Sequence, residues 1–381
     1  MSRPSLPRWL RNALLAAAVL TLSACTGSFH GIFCSNGTTG NCCQGTSCGD
    51  PSSVVVAAGN QILHFSLDPD TGAPELTGSV TTTNAVAGIV APLGSKFVYA
   101  VDGTQSAILG FSSAGTDFTA VPGSPFSGID GQARPASDGQ FLYMPGSSGR
   151  GLGVYAIGPQ GGLTFLNPVP GVQQSSTPFF AAVVPLNPRF VYTSNSAAVP
   201  GEIEAAAVAP DTGVISGVPG SPFLLAPSAG PPGAIAQAGN RFIFVVLPAA
   251  NSVAAFSIDT ASGALAPVPG SPFPTGHAPS ALAADASGTH LYVTNESDGT
   301  VSAFAISASG VLNLLPGSPF AAGAGPVGVA ADGRGHLYVA NQLSNDISAY
   351  AIAVTGSGAL TPIPGSPFPV GAQPTAIAIG P

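Results

Sequence analysis

The chain has 381 residues and a formal net charge of −8, and only 7% of its side chains are charged, against about 25% in ordinary globular domains. It holds 50 glycines and 38 prolines beside 45% hydrophobic residues. Turns are therefore dense, yet enough apolar mass remains for a core, which argues against low-complexity disorder, and cations are too few for a nucleic-acid partner.

Arg3, Arg8 and Arg11 precede a short apolar stretch at 13–22, the arrangement of an export signal and too short to span a bilayer. The stretch ends Leu22-Ser23-Ala24-Cys25, which resembles the lipobox of bacterial lipoproteins. That resemblance implies a signal peptide over 1–24, lipidation of Cys25 and a membrane anchor. Thr26 follows the cysteine where Asp would favour inner-membrane retention, so the outer membrane or periplasmic face is the expected location. Cleavage removes three of nine basic residues and none of the 17 acidic ones. No later apolar run reaches 18 residues without Gly, Pro or polar breaks, so no membrane helix is expected.

Cys34, Cys42, Cys43 and Cys48 lie in a Gly/Ser/Thr/Asn-rich stretch, and no cysteine follows them. In an oxidising compartment, four cysteines this close are expected to form two disulfides that staple a segment lacking a core. All three pairings remain open, with a vicinal Cys42–Cys43 bond disfavoured by geometry. Residues 25–52 thus read as a tether, with no metal site.

From 53 to 381 the chain repeats. Pro-Gly-Ser-Pro-Phe stands at 122–126, 219–223, 269–273, 316–320 and 364–368; Pro170-Gly171 is a worn copy in the one double gap, and Gly78-Ser79 an earlier one. Between copies the order is constant: an apolar run, an Asp/Gly turn, a second run such as Leu291-Tyr292-Val293-Thr294, a polar loop, a third run such as 301–306, and a last short run before the next Pro-Gly. Four short strands repeated every 48 residues or so predict an all-β fold, a β-propeller. Six complete units fill 81–368. Residues 54–80 supply the last three strands of a further unit and 374–379 its first. The expectation is a seven-bladed ring with four antiparallel strands per blade, closed by the two ends of the chain sharing one blade, and a monomer. Within the repeated pentapeptide, Pro-Gly suits a type II turn, Ser before Pro is held extended, and the Phe is expected between blades.

Leu291-Tyr292-Val293-Thr294-Asn295 and Leu337-Tyr338-Val339-Ala340-Asn341, each preceded by Asp-x-x-Gly and followed by a Val/Ile-Ser-Ala-aromatic strand, resemble the YVTN-type repeats of the lactonase-like seven-bladed propellers, which include 6-phosphogluconolactonase-like proteins. The resemblance covers about 54–381. It implies a catalytic His, Glu and Arg at the channel mouth; the nearest match is Gly276-His277-Ala278-Pro279, with a single histidine.

Lys96, Gln140, Arg189, Arg241, His290 and His336 are read in one register before the second strand, with Asp138, Asp285 and Asp332 in the turn ahead of it, as parts of a structural rim. His64 lies within a strand. The unrepeated polar residues fall in loops that enter the first strand or join the second to the third, which open on one face of a propeller. Among them His277, Arg134 and Glu296 are the catalytic candidates, His277 as general base, with Glu296 and Asp298 placed to orient its imidazole. Asp102, Asp130, Arg150, Glu202, Asp298 and Asp346 are candidate ligand-binding residues. No cofactor is expected. Three functions follow: an envelope-anchored propeller binding a small molecule or envelope protein, a lactonase acting on an unphosphorylated lactone, and a structural surface protein.

Overall fold

The computed structural model describes residues 53–380 apart from 93, 114–116, 128–133, 147–150, 167–177, 197–199, 227–228 and 354–355. Seven separate antiparallel sheets are present. We number the blades from the shared one: blade 1 combines Pro374–Gly380 with Ser53–Ala58, Gln61–Leu67 and Pro74–Thr81, and blades 2 to 7 begin at Val86, Ala136, Pro178, Ile235, Pro279 and Pro326. Blade 1 closes the ring as its sequence requires, with Val54 opposite Ile379 and Val56 opposite Ile377. At six of the seven blade junctions the first strands pack against one another, so these strands line the central channel.

Buried apolar side chains form seven clusters, each drawn from two adjacent blades. In His290–Asn295, Leu291 and Val293 join the cluster facing blade 5 while Tyr292 joins the one facing blade 7. A strand sandwiched in this way needs apolar residues on both faces, which explains the absence of polar alternation.

The pentapeptide repeat breaks the outermost strand. In blade 6, Leu312–Leu314 and Phe320–Ala321 both pair with the third strand, and Pro316 to Pro319 loop out between them. Gly317 has φ +85°, and Ser318 N–H donates to Leu315 O at 3.1 Å, closing a turn whose third residue needs positive φ. The Ser318 hydroxyl then accepts from Ala303 N–H at 2.9 Å, taking the place of the backbone carbonyl that the excursion removed. Ser124, Ser221, Ser271 and Ser366 accept in the same way from Gly110, Ala205, Ala255 and Ala349. The five Ser-Pro bonds are cis. Each Phe packs with an inter-blade cluster, and the space above its own turn Gly is filled by its ring, 3.2 to 3.6 Å from where a Cβ would stand. Blade 1 replaces the excursion with a one-residue bulge at Thr77, where Gly78-Ser79 had been read as a worn copy.

Adjacent blades are latched at their rims. Tyr99, Tyr192, Tyr292 and Tyr338 donate to the carbonyls of Gly161, Gly263, Gly358 and Gly72 in the following blade at 2.8 to 2.9 Å. Two residues before each tyrosine, Phe97, Phe190, His290 and His336 lie flat on the same glycines, and a Cβ there would stand within 2.2 to 2.6 Å of the ring. This corrects the register read from the sequence: His290 and His336 stand in line with the phenylalanines, one place beyond Lys96, Gln140, Arg189 and Arg241. The flat imidazole fills the aromatic's place over the glycine.

Candidate functional site

The loops entering the first strands and those joining second to third strands gather on one face. There the fifth residue of the Leu-Tyr-Val-Thr-Asn motif is a scaffold element. Asn295 is fully buried, accepts from Gly276 N–H at 3.1 Å, and donates to Thr300 and Ser302. Asn341 is also fully buried and donates to Asp346 Oδ1 at 2.7 Å and to Ser348. Asn195 donates to Glu202 Oε1 at 2.7 Å. In blade 2 the same place is held by Asp102, which accepts from Asn84, from the Thr104 hydroxyl, and from the N–H groups of Thr104 and Gln105. Burial works to raise the Asp102 pKa, but these bonds outweigh it and hold it low. Asp102, Glu202 and Asp346, read from the sequence as ligand contacts, thus brace the loops. Asp130 and Arg150 lie outside the described residues, as do Cys25, Cys34, Cys42, Cys43 and Cys48.

His277 departs from the repeat. The loop Thr275-Gly276-His277-Ala278-Pro279 corresponds to Ala322-Gly323-Ala324-Gly325-Pro326 in blade 7 and to 370–374 in blade 1. Gly276 and Gly323 fit the same cradle: a Cβ on either would strike the buried Asn and the third residue of the following loop, Asp298 or Ser344. On that shared scaffold, alanine and serine in blade 7 become histidine and aspartate in blade 6. Asp298 Oδ2 accepts from His277 N–H at 2.7 Å, and Oδ1 lies 2.9 Å from His277 Nδ1. These bonds hold the Asp298 carboxyl below its ordinary value, the backbone N–H contributing most. The imidazole is 74% exposed, leaving Nε2 open to solvent. Of the two carboxylates expected to orient the ring, Glu296 and Asp298, it is Asp298 that holds it. Glu296 is exposed and has no hydrogen bond to His277 among the described residues.

Arg134 sits in the channel wall. It bridges Phe180 in blade 4, and its guanidinium passes blade 2 to donate to Thr375 O of blade 1 at 2.8 Å. Half-buried, it has its pKa pushed down to about 10 by desolvation, which leaves it cationic at neutral pH. No group of three or more His, Cys, Asp or Glu suited to a metal occurs among the described residues.

The other polar positions are structural. Asp138 binds Arg189 Nε at 2.8 Å and the Tyr143 hydroxyl. His336 Nδ1 lies 2.8 Å from Asp332. His290 Nδ1 lies 3.0 Å from Asp285, and its Nε2 faces Gly356 O at 3.2 Å. His64 is buried beside Thr77 and edge-on to Phe118, its pKa lowered by burial.

The dyad lies inside residues 245–365, which match the family model for Lactonase, 7-bladed beta-propeller. The chain resembles the lactonase propellers. A proposed 6-phosphogluconolactonase of Bacteroides fragilis superposes with a TM-score of 0.71 at 17% identity, over 87% of this chain and 99% of its own. The periplasmic gluconolactonase PpgL of Pseudomonas aeruginosa gives 0.69 at 16% identity, over 85% and 98%. At such identities both likenesses establish the fold. No curated protein matches the chain.

What the sequence reading missed was the scaffold role of the buried Asn/Asp position. The signal was available, since Asn295 and Asn341 fall at the same place in two repeats.

Proposed function

We propose that the protein is an exported, lipid-anchored propeller of the lactonase-like type that binds a small carbonyl- or carboxylate-bearing molecule on its channel face. One observation carries the reading: a repeated loop scaffold is altered in one blade to present an exposed imidazole oriented by a carboxylate. In a repeat protein the stacking needs are the same in every blade, so a local departure that buries nothing serves something other than the fold. Calorimetric titration of the mature protein with unphosphorylated aldonolactones and their aldonic acids tests it. Binding to at least one, weakened tenfold or more by His277→Ala, is expected. Absence of binding across the panel would refute it.

A second reading is favoured by the open Nε2. With Nδ1 engaged by Asp298, Nε2 could take a proton from water as that water adds to a lactone carbonyl. The acyl carbon to ring oxygen bond then breaks, and the proton passes to the leaving oxygen to give the open-chain hydroxy acid. Phosphorylated lactones fit poorly, since only six cations remain after the signal peptide, and Arg189 among them is committed to Asp138. Hydrolysis of a neutral lactone, lowered about 10² to 10⁴-fold by His277→Ala, would establish this reading. Equal turnover in variant and parent would discard it. The anchor has its own test: Cys25→Ala is expected to release the protein from membranes, and continued sedimentation with them would overturn that part.

A further inference from the structure

We infer that Asn251, delivered by the preceding blade, is a positioning residue for the His277–Asp298 pair. The inference rests on the reading of that pair as the functional group of the channel face.

Four successive backbone N–H groups in the His277 loop are all held. Thr275 N–H donates to Asn251 O at 2.9 Å, Gly276 to Asn295 Oδ1, His277 to Asp298 Oδ2, and Ala278 to Asn251 Oδ1 at 2.9 Å. Asn251 therefore clasps the loop on both sides of the histidine. The N–H of His277 lies in the peptide plane before its Cα, and the N–H of Ala278 in the plane after it. Asp298 fixes the first plane and Asn251 the second, so together they set both backbone dihedrals of His277. Without the second, the ring could keep its carboxylate only by following a loose main chain.

The neighbouring blade shows what the fold alone requires. There Ala322 N–H donates to Gly299 O at 2.8 Å, the counterpart of the Thr275 bond, while Gly323 and Ala324 bond to Ser348 and Ser344. Gly299 and Gly325 occupy the left-handed region with φ of +63°. In the His277 loop these two glycines become Asn251 and Ala278, at +49° and +51°. Left-handed backbone is unfavourable for a residue with a Cβ, and such outliers persist where surrounding contacts over-determine them. Asn345, at +58°, holds the place of Asn251 ahead of the blade 1 loop, which has no histidine, and its carbonyl accepts from Val370; what the His277 loop adds is a left-handed Ala278 whose N–H donates to Asn251 Oδ1. Asn is among the few side chains that tolerate this conformation, and it alone of the pair supplies the acceptor.

Asn251→Gly keeps the left-handed backbone and the carbonyl that Thr275 uses, and removes the side chain with its Oδ1; Gly299 is its native precedent. The readout is the ring ¹⁵N shifts of His277 in the mature protein, assigned by comparison with His277→Ala and measured without ligand. In the parent they should report one tautomer, with the proton on Nδ1 facing Asp298. In Asn251→Gly they should move toward the averaged values of a free histidine, while those of His64, His290 and His336 stay in place. Asn251→Asp, which restores an acceptor, should bring them back. Parent-like His277 shifts in Asn251→Gly would overturn the inference. So would loss of the other histidine signals in that variant, or failure of Asn251→Asp to rescue, since the side chain would then be holding the fold rather than the ring. Because no ligand is involved, a protein that bound none of the lactones or acids above would still answer.

Discussion

Deleting residues 374–381 removes one strand, Pro374–Gly380, from the wall of the channel. Six residue pairs join that strand to Ser53–Ala58. Its loss leaves roughly half a dozen ladder hydrogen bonds unmade, at about 1 kcal/mol net apiece. Val54, Val55, Val56 and Ala57, all fully buried, lose one neighbour, and the partly buried Ile377 and Ile379 disappear from their clusters. Half-burial of two such side chains is worth about 2 kcal/mol. Thr375 also stops donating to Val86 O, and Arg134 loses its acceptor. The total, about 8 kcal/mol, is comparable to the whole stability of a typical domain. Followed by circular dichroism, the truncated mature protein should therefore melt at least about 10 °C below the parent or show no cooperative transition. Proteolysis should begin in 53–81. Melting within about 2 °C of the parent would mean that the shared blade does not close the ring.

Two further outcomes follow from the same geometry. Ser318→Ala strands the Ala303 N–H, a buried donor, and should cost about 1 to 3 kcal/mol; an unchanged urea midpoint would show that the hydroxyl does not replace the lost carbonyl. His290 is held above its ordinary pKa chiefly by the Asp285 hydrogen bond, against burial, with Gly356 O adding to the rise. Its contribution is thus fully present below about pH 6.5 and lost as pH rises through the raised folded value. Asp285 is opposed by burial, but its bonds from His290, Ser287 and the backbone hold it down to about 2. Its contribution is present above its unfolded pKa and lost as pH falls toward 2. His290→Phe, copying Phe97 and Phe190, should abolish the decline in melting temperature above about pH 6.5. Persistence of that decline would place its origin elsewhere.

The fold was legible because one motif recurs at a nearly constant interval, and four runs between copies leave little choice of architecture. Even the shared blade followed from counting strands at the two ends. Two things were not legible. That the ring two residues before each tyrosine, His290 and His336 included, lies over a glycine of the next blade is a contact no local pattern records, although the spacing to the tyrosine stands in the sequence. At the channel face, counting unrepeated polar residues put Asp102, Glu202 and Asp346 beside His277. Whether a carboxylate is spent on an asparagine within its own loop, as those of Glu202 and Asp346 are, is decided by three-dimensional proximity. The sequence offers both Glu296 and Asp298 to orient the imidazole; the fold brings Asp298, 21 residues away, to the ring.

The broken outer strands bear on how copies of this protein behave toward one another. The rim of each blade is a free sheet edge, and a long flat edge is a template for another chain. A chain with only 7% charged residues has little like-charge repulsion to keep molecules apart. The Pro-Gly-Ser-Pro excursions provide a different protection: in blades 4 to 7 they cut the outer strand into pieces of three and two residues, and the prolines between them offer no N–H. Blade 1 differs from these four, with eight consecutive residues, Pro74–Thr81, guarded by a single bulge and the exposed Glu75. Among the described outer strands, this one is the longest foothold for edge-to-edge association.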